Sequence, residues 1–344
     1  MTELKRLVVD GYGKFVGQQS NRIVVKEKGR ILHHERAEDL RQVVISGSGS
    51  ISFDAMELLG SLGVDLIVIN WRGEVTARLA SRDMRTVQTR RDQYYAFREN
   101  RSGILAQQFI LAKMKNQYAT LGTLAKSRKD TSPDVADELI NKRESVSEFI
   151  KKVESLEIKP IDHIRSSLMG LEGIASTHYW EGIGAIIPEE FKFNCRSGRY
   201  AEDPVNALLN YGYALLEGEV WRGVHYAGLD PYGGFLHVDR PGRPSMVLDL
   251  MEEFRQQLID KTIIGLLTKG EVSYTDFTME EGVCRMGDST RKLLLRTVLE
   301  HFEKYMRYKY EQRRWTDMIL MQARDLASYL RGESSRYEGF YLRW

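Results

Sequence analysis

The rhythm of apolar positions changes along the chain. Up to about residue 80 they fall in short β-branched runs: Leu7-Val8-Val9, Ile23-Val24-Val25, Ile31-Leu32 and Val43-Val44-Ile45. Gly, Asn and Ser separate these runs, as turns between strands require. Ser46-Gly47-Ser48-Gly49-Ser50 reads as a flexible loop. Phe53, Met56 and Leu59 have helical spacing, Val64–Ile69 reads as a buried strand, and Gly73 marks a turn into Val75–Leu79. Beyond Leu79 the period lengthens. Residues 84–127 carry long helical periodicity through Phe97, Ile104, Leu111 and Met114. Residues 134–157 read as a charged, solvated helix or hairpin, and 161–186, 204–217, 246–268 and 288–330 as helices. Asp203-Pro204 is an N-cap followed by Pro at the first helical position, and Gly218 reads as lying just past the end of that helix. The expectation is an α+β protein, with a small N-terminal β-sheet domain over residues 1–80, containing one crossover helix, and a larger all-helical domain over 81–344.

Composition narrows the class without naming a function. The 344 residues hold 50 Lys plus Arg against 48 Asp plus Glu, a formal charge of +2, with 42% apolar residues. That is a globular composition, and it excludes disorder, collagen and a disulfide scaffold. No apolar run is long enough for a membrane span, and the first residues lack the apolar core of a signal peptide. The two cysteines, Cys195 and Cys284, are far apart, so the cytosol is the expected compartment. Charge is nevertheless uneven. Ten basic residues against four acidic ones lie between Arg72 and Lys115, and Arg291–Arg314 is basic with tyrosines interleaved. Such stretches suit a phosphate backbone or are solvated helix faces.

Several familiar sites are absent: there is no P-loop, no HExxH, and no third glycine after Gly47 and Gly49 for a dinucleotide fingerprint. Four residues remain. Glu172 stands in an apolar stripe with Leu168, Ala175 and Tyr179, where a carboxylate is costly unless paired, for example with Arg165, or holding a cation. His237 follows Gly233-Gly234, a bend that can present an imidazole as a ligand or leave it on the surface. Asp249 and Glu252, three residues apart, share a helix face, and Glu252 falls in a second apolar ridge with Leu248, Ile259 and Ile263. A glutamate, an imidazole and a second carboxylate together would make a divalent site favouring Mg²⁺ or Mn²⁺.

Four ordered blocks carry a family resemblance. They are Leu171-Glu172-Gly173-Ile174-Ala175 with Tyr179-Trp180, Asp203–Leu216, Gly234-Phe235-Leu236-His237, and Gly242–Arg255. In order and approximate spacing they resemble CRISPR-associated protein one, the spacer-acquisition integrase, over essentially the whole chain. The resemblance implies Glu172, His237 and Glu252 as metal ligands, with Asp249 the accompanying catalytic acid and Arg199 and Asn206 supporting the pocket. One departure is that the last ligand, often aspartate in the family, is glutamate here. It further implies a metal-dependent DNA endonuclease and integrase that inserts short fragments into a CRISPR repeat array by transesterification. The implied partners are double-stranded DNA, a second copy of the chain joined through residues 1–80, and the small second CRISPR-associated protein; none is a membrane. Two other readings stand beside it: another metal-dependent phosphoesterase or repair nuclease sharing only the site chemistry, and a catalytically silent DNA-binding scaffold.

Overall fold

The computed structural model describes residues 4–80, 86–198, 200–308 and 310–342. The chain divides into two compact units, Met1–Arg85 and Thr86–Trp344.

The first unit is a mixed sheet built from β1 (Lys5–Gln19), β2 (Arg22–Glu27), β3 (Arg30–Arg36), β4 (Leu40–Ile51), β5 (Asp65–Ile69) and β6 (Val75–Leu79), in the order β3-β2-β1-β4-β5-β6. The pairs β1–β4 and β4–β5 are parallel, the others antiparallel. The parallel β4–β5 connection carries helix α1 (Phe53–Ser61), started by the Ser52 hydroxyl, which accepts from the Ala55 N–H at 3.2 Å. Leu7, Val9, Val43 and Leu66 from the strands meet Ala55 and Leu59 of α1 in one core.

The Ser-Gly run at 46–50 is not a loop: β4 continues through it to Ile51. Its glycines allow β4 to lie unusually close to β1. A Cβ at Gly47 would stand 2.0 Å from the Gly11 carbonyl oxygen, and one at Gly49 would stand 1.9 Å from that of Lys14. The β1–β4 register shifts in the same place, between Tyr12 and Lys14.

The second unit is helical: α2 (Gln88–Ala96), α3 (Asn100–Arg128), α4 (Pro133–Glu154), α5 (Ile161–Gly184), α6 (Pro204–Tyr226), α7 (Ser245–Met251), α8 (Lys261–Thr268), α9 (Asp288–Glu303) and α10 (Trp315–Leu330). It also holds two short hairpins, β7–β8 (Phe277–Glu280, Val283–Met286) and β9–β10 (Tyr305–Tyr308, Glu311–Arg314). The second hairpin interrupts what the apolar pattern presents as one helix over 288–330. Residues 134–157 are less solvated than their charge implies, because Ala136, Leu139, Val146, Ile150 and Val153 of α4 are buried along one face.

α6 begins as its cap predicts, with the Asp203 carboxylate accepting from the Asn206 N–H at 2.9 Å. It does not end at Gly218, which is buried inside it. The stop is at Gly228, φ +77°, where the Leu229 N–H reaches the Val224 carbonyl and the Gly228 N–H that of His225.

The helix expected over 246–268 is broken. α7 stops at Met251, Glu252–Phe254 form a turn, and Gln256–Asp260 wind as a π-helix before α8. Among the described residues, no helix is long and apolar enough to cross a membrane.

Candidate active site

Four segments of the helical unit meet at the side chains singled out in the sequence. Lys113 comes from α3, Glu172 from α5, His237 from the loop after α6, and Glu252 from the break after α7. The Lys113 ammonium lies 2.8 Å from Glu172 Oε1 and 2.9 Å from Glu252 Oε2. His237 Nε2 lies 3.9 Å from Glu252 Oε1. Lys113 thus joins Glu172 to Glu252, and His237 stands beside Glu252.

Each member is oriented by neighbours. The Ser176 hydroxyl, one helical turn on, donates to Glu172 Oε1 at 2.5 Å and itself accepts from Gln117 Nε2 at 3.0 Å. Arg255, one turn beyond Glu252, places its Nε 3.1 Å from Glu252 Oε1, while its guanidinium sits 4.6 Å over the Tyr213 ring. Burial alone raises the Glu252 pKa. The positive charges of Arg255, Lys113 and His237 overcome it and hold the carboxyl at about 2. Lys113 mirrors this: burial pushes it down, but Glu252 and Glu172 raise it above its ordinary value, so it stays charged at neutral pH.

Asp249 is in the pocket as expected, but all its capacity is spent on the His237 loop. Oδ2 accepts from the N–H groups of Phe235 at 2.6 Å and Leu236 at 2.9 Å. Oδ1 meets the N–H of His237 at 2.9 Å and its ring Nδ1 at 2.7 Å. With Nδ1 engaged by a carboxylate, Nε2 is the ring nitrogen presented toward Glu252. Asp249 is therefore a positioning residue for His237. Gly234 lets this loop close down, since a Cβ there would stand 2.6 Å from Ser245 Cβ and 3.0 Å from Asp249 Oδ2. Arg165 does not pair with Glu172. It donates to the carbonyls of Leu236 at 3.1 Å and Phe235 at 3.2 Å and pairs with Asp162, so α5 clamps the loop that Asp249 clamps from α7.

Asn206 supports the surroundings rather than the reacting point. It accepts from Arg196 and the Ser197 N–H and donates to the Cys195 carbonyl. Arg199 lies outside the described residues. The basic stretches are largely committed: Arg78 pairs with Asp65, Arg101 with Glu99, Lys115 with Glu154, Arg291 with Asp288 and Arg314 with Glu303. Arg82 and Arg85 lie outside the described residues. Sequence reasoning missed Lys113, Ser176 and Arg255. Arg255 was legible as an i+3 partner of Glu252, whereas Lys113 was only a cation inside the apolar run Ile110–Met114.

Among the described residues, no three His, Cys, Asp or Glu heads are grouped tightly enough to hold an ion as they stand. The chemistry of the set nevertheless fits one: two carboxylates, an imidazole Nε2 backed by a carboxylate, and a charge demand that a cation already meets. Glu252 Oε2 is buried and, although an ion-pair neighbour of Lys113, lacks a properly directed hydrogen bond.

Residues 7–300 match the family model described as CRISPR associated protein Cas1. A relative from Archaeoglobus fulgidus, named CRISPR-associated endonuclease Cas1 1, is 45% identical over 98% of this chain and 100% of its own. Two solved structures share the fold at 21% identity. One is a casposase bound to its integration product, with TM-score 0.82, covering 99% of this chain and 94% of the casposase. The other is a Cas6–RT–Cas1–Cas2 complex, with TM-score 0.79, covering all of this chain and 37% of the matched one. The chain belongs to the Cas1 family.

Proposed function

We propose that this chain is the spacer-integrating DNA endonuclease of CRISPR adaptation, acting with Mg²⁺ or Mn²⁺ held by Glu172, His237 and Glu252. The observation that carries the reading is that Glu172 and Glu252 share Lys113 while His237, its imidazole set by Asp249, stands beside Glu252. The endonuclease name of the Archaeoglobus fulgidus relative supports the activity, and the integration product bound by the casposase supports strand transfer. A divalent ion at this site would stabilise charge on the attacked phosphate and the leaving oxygen. Lys113 adds a permanently positive group beside the same phosphate, and Arg255 keeps Glu252 ionised. In the transfer, a fragment's 3′-oxygen bonds to phosphorus as the array's own P–O3′ bond breaks, so the number of phosphodiesters is conserved.

Duplex DNA has suitable contacts on α2 and the turn after it, where Arg91 and Arg98 are exposed beside exposed Tyr94 and Tyr95. The homodimer is assigned to the N-terminal sheet, whose edge strand β3 is exposed along most of its length and shows Ile31 and Leu32 to solvent. A Cas2 protein is the expected further partner, by likeness to the Cas1–Cas2 assembly, and the cytoplasm the expected compartment.

The test is strand transfer of a short duplex into a repeat-bearing plasmid with Mn²⁺. His237→Ala should abolish transfer and cleavage while duplex affinity stays within about threefold, because phosphate contacts dominate affinity. An equal loss of affinity and activity would make His237 a binding or folding residue and overturn the assignment.

A further inference from the structure

Behind the reaction centre, the segment Ser334–Leu342 runs without helix or strand and is nevertheless bound at almost every residue. Glu253, fully buried and adjacent in the chain to Glu252, accepts from the Tyr337 hydroxyl at 2.5 Å and from the Phe340 N–H at 2.8 Å. Asn116, one turn beyond Lys113 on α3, donates to the carbonyls of Phe340 at 3.0 Å and of Glu253 at 2.9 Å, and accepts from the Leu342 N–H at 3.1 Å. The Phe340 ring stacks on Phe254 at 5.2 Å and meets Trp315 edge-on at 5.7 Å. Gly339 is the only residue type that fits its place, since a Cβ would stand 2.6 Å from the Gln108 carbonyl oxygen and 2.7 Å from Ala112 Cβ.

Besides Trp315 of α10, these contacts fall on two elements, α3 and the broken turn after α7. The same two elements bear Lys113, one turn before Asn116 on α3, and Glu252, the chain neighbour of Glu253. Glu252 sits in a non-helical turn, so its place is not fixed by a regular hydrogen-bond ladder of its own. Asn116 and Phe340 tie that turn to α3.

We infer that Ser334–Leu342 is a strap that positions Glu252 against Lys113 and Glu172, so that Tyr337 and Phe340 are positioning residues of the reaction centre. The inference rests on the reading of Glu172, His237 and Glu252 as the metal-binding reaction centre. Neither Tyr337 nor Phe340 touches substrate. Their loss moves one carboxylate relative to its partners and leaves the DNA-contacting surface unchanged.

The experiment uses the full chain as Phe340→Ala, Phe340→Leu and Tyr337→Phe, with Leu294→Ala in the buried face of α9 as a stability control. Three quantities are read: Mn²⁺ affinity by calorimetry with MnCl₂ alone, the strand-transfer rate at saturating duplex, and duplex affinity. Phe340→Ala should weaken Mn²⁺ binding and slow saturated transfer by about tenfold or more, the size typical of lost ligand-orienting contacts. Duplex affinity should stay within about twofold. Phe340→Leu, which keeps most of the apolar contact, should recover most of both losses. Leu294→Ala, at an equal or larger fall in Tm, should change neither. If Phe340→Ala does not fold, Tyr337→Phe, which removes one hydrogen bond, must show the same pattern at smaller size. Wild-type Mn²⁺ affinity and rate in a folded strap variant would overturn the inference, as would equal losses in Leu294→Ala. A wild-type chain that transfers no strand would count against the function proposed above, whereas the Mn²⁺ comparison would still judge the strap.

Discussion

Glu252 and Glu253 are chain neighbours of the same chemistry, both buried, and the two sides of the broken helix treat them in opposite ways. On the reaction-centre side, Arg255, Lys113 and His237 overcome burial and keep Glu252 at about 2. On the strap side, burial dominates and pushes Glu253 up to about 8, because its partners are a hydroxyl and an amide rather than cations. Asp260, at the end of the π-helical stretch, belongs with Glu253. Burial raises it to about 6 while the hydroxyls of Tyr213 and Tyr179 donate to its two oxygens at 2.5 and 2.8 Å. Facing charge decides the role. A buried acid close to cations stays an anion and can serve as a ligand, whereas a buried acid held by hydroxyl and amide donors keeps its proton to higher pH.

The sharpest way to break this division is Glu252→Gln. It removes the anion among the cations and should cost on the order of a thousandfold in strand transfer, with duplex binding retained in a filter or fluorescence assay. A small loss would place Glu252 among the structural acids. Next in size is Asp249→Ala, which frees the His237 loop and ring. Calorimetry should show Mn²⁺ affinity lower by about 10–100-fold, the range for carboxylates that orient a ligating imidazole.

Asp260 tests the tyrosine side. Its folded pKa of about 6 exceeds the ordinary 3.8, so the folded state binds the proton more tightly. That stabilisation is complete below about 3.8 and is lost as pH rises through about 6. Thermal melts should therefore favour Asp260→Asn over wild type increasingly as pH rises from 4 to 7, by at most about 1.4 kcal/mol per pH unit. The smallest effect belongs to a third kind of carboxylate, one that faces backbone. Asp203→Ala should lower stability by about 1 kcal/mol through the lost α6 cap and leave Mn²⁺ affinity unchanged.

Much of this was legible beforehand because it is local. β-branched runs gave the strands of the sheet, and Asp203-Pro204 gave the start of α6. Spacing and resemblance single out Glu172, His237 and Glu252, yet the link from Glu172 through Lys113 to Glu252, and His237 beside it, is long-range and no local pattern contains it. Gly47 and Gly49 look like loop residues, but their missing side chains serve close strand packing. Gly218 looks like a stop, but it is buried in the middle of α6. At Gly47 and Gly49 a distant strand, invisible to a local window, decides what the glycine is for. Asp249 looked like a fourth reacting acid because residue type and position cannot reveal that its oxygens are already occupied by backbone.

The broken helix carries a consequence for how the length of this region can change. A regular helix turns its side chains by about 100° per residue, so adding or deleting one residue rotates everything downstream. The wide-wound stretch Gln256–Asp260 holds slack of that kind between the reaction centre and α8. Deleting one residue there would draw the stretch back toward regular winding, carrying Asp260 away from Tyr179 and Tyr213 while leaving Glu252 upstream of the cut. The segment behaves as a length adjuster, and indels confined to it would be felt in the scaffold of the helical unit before they reached the chemistry.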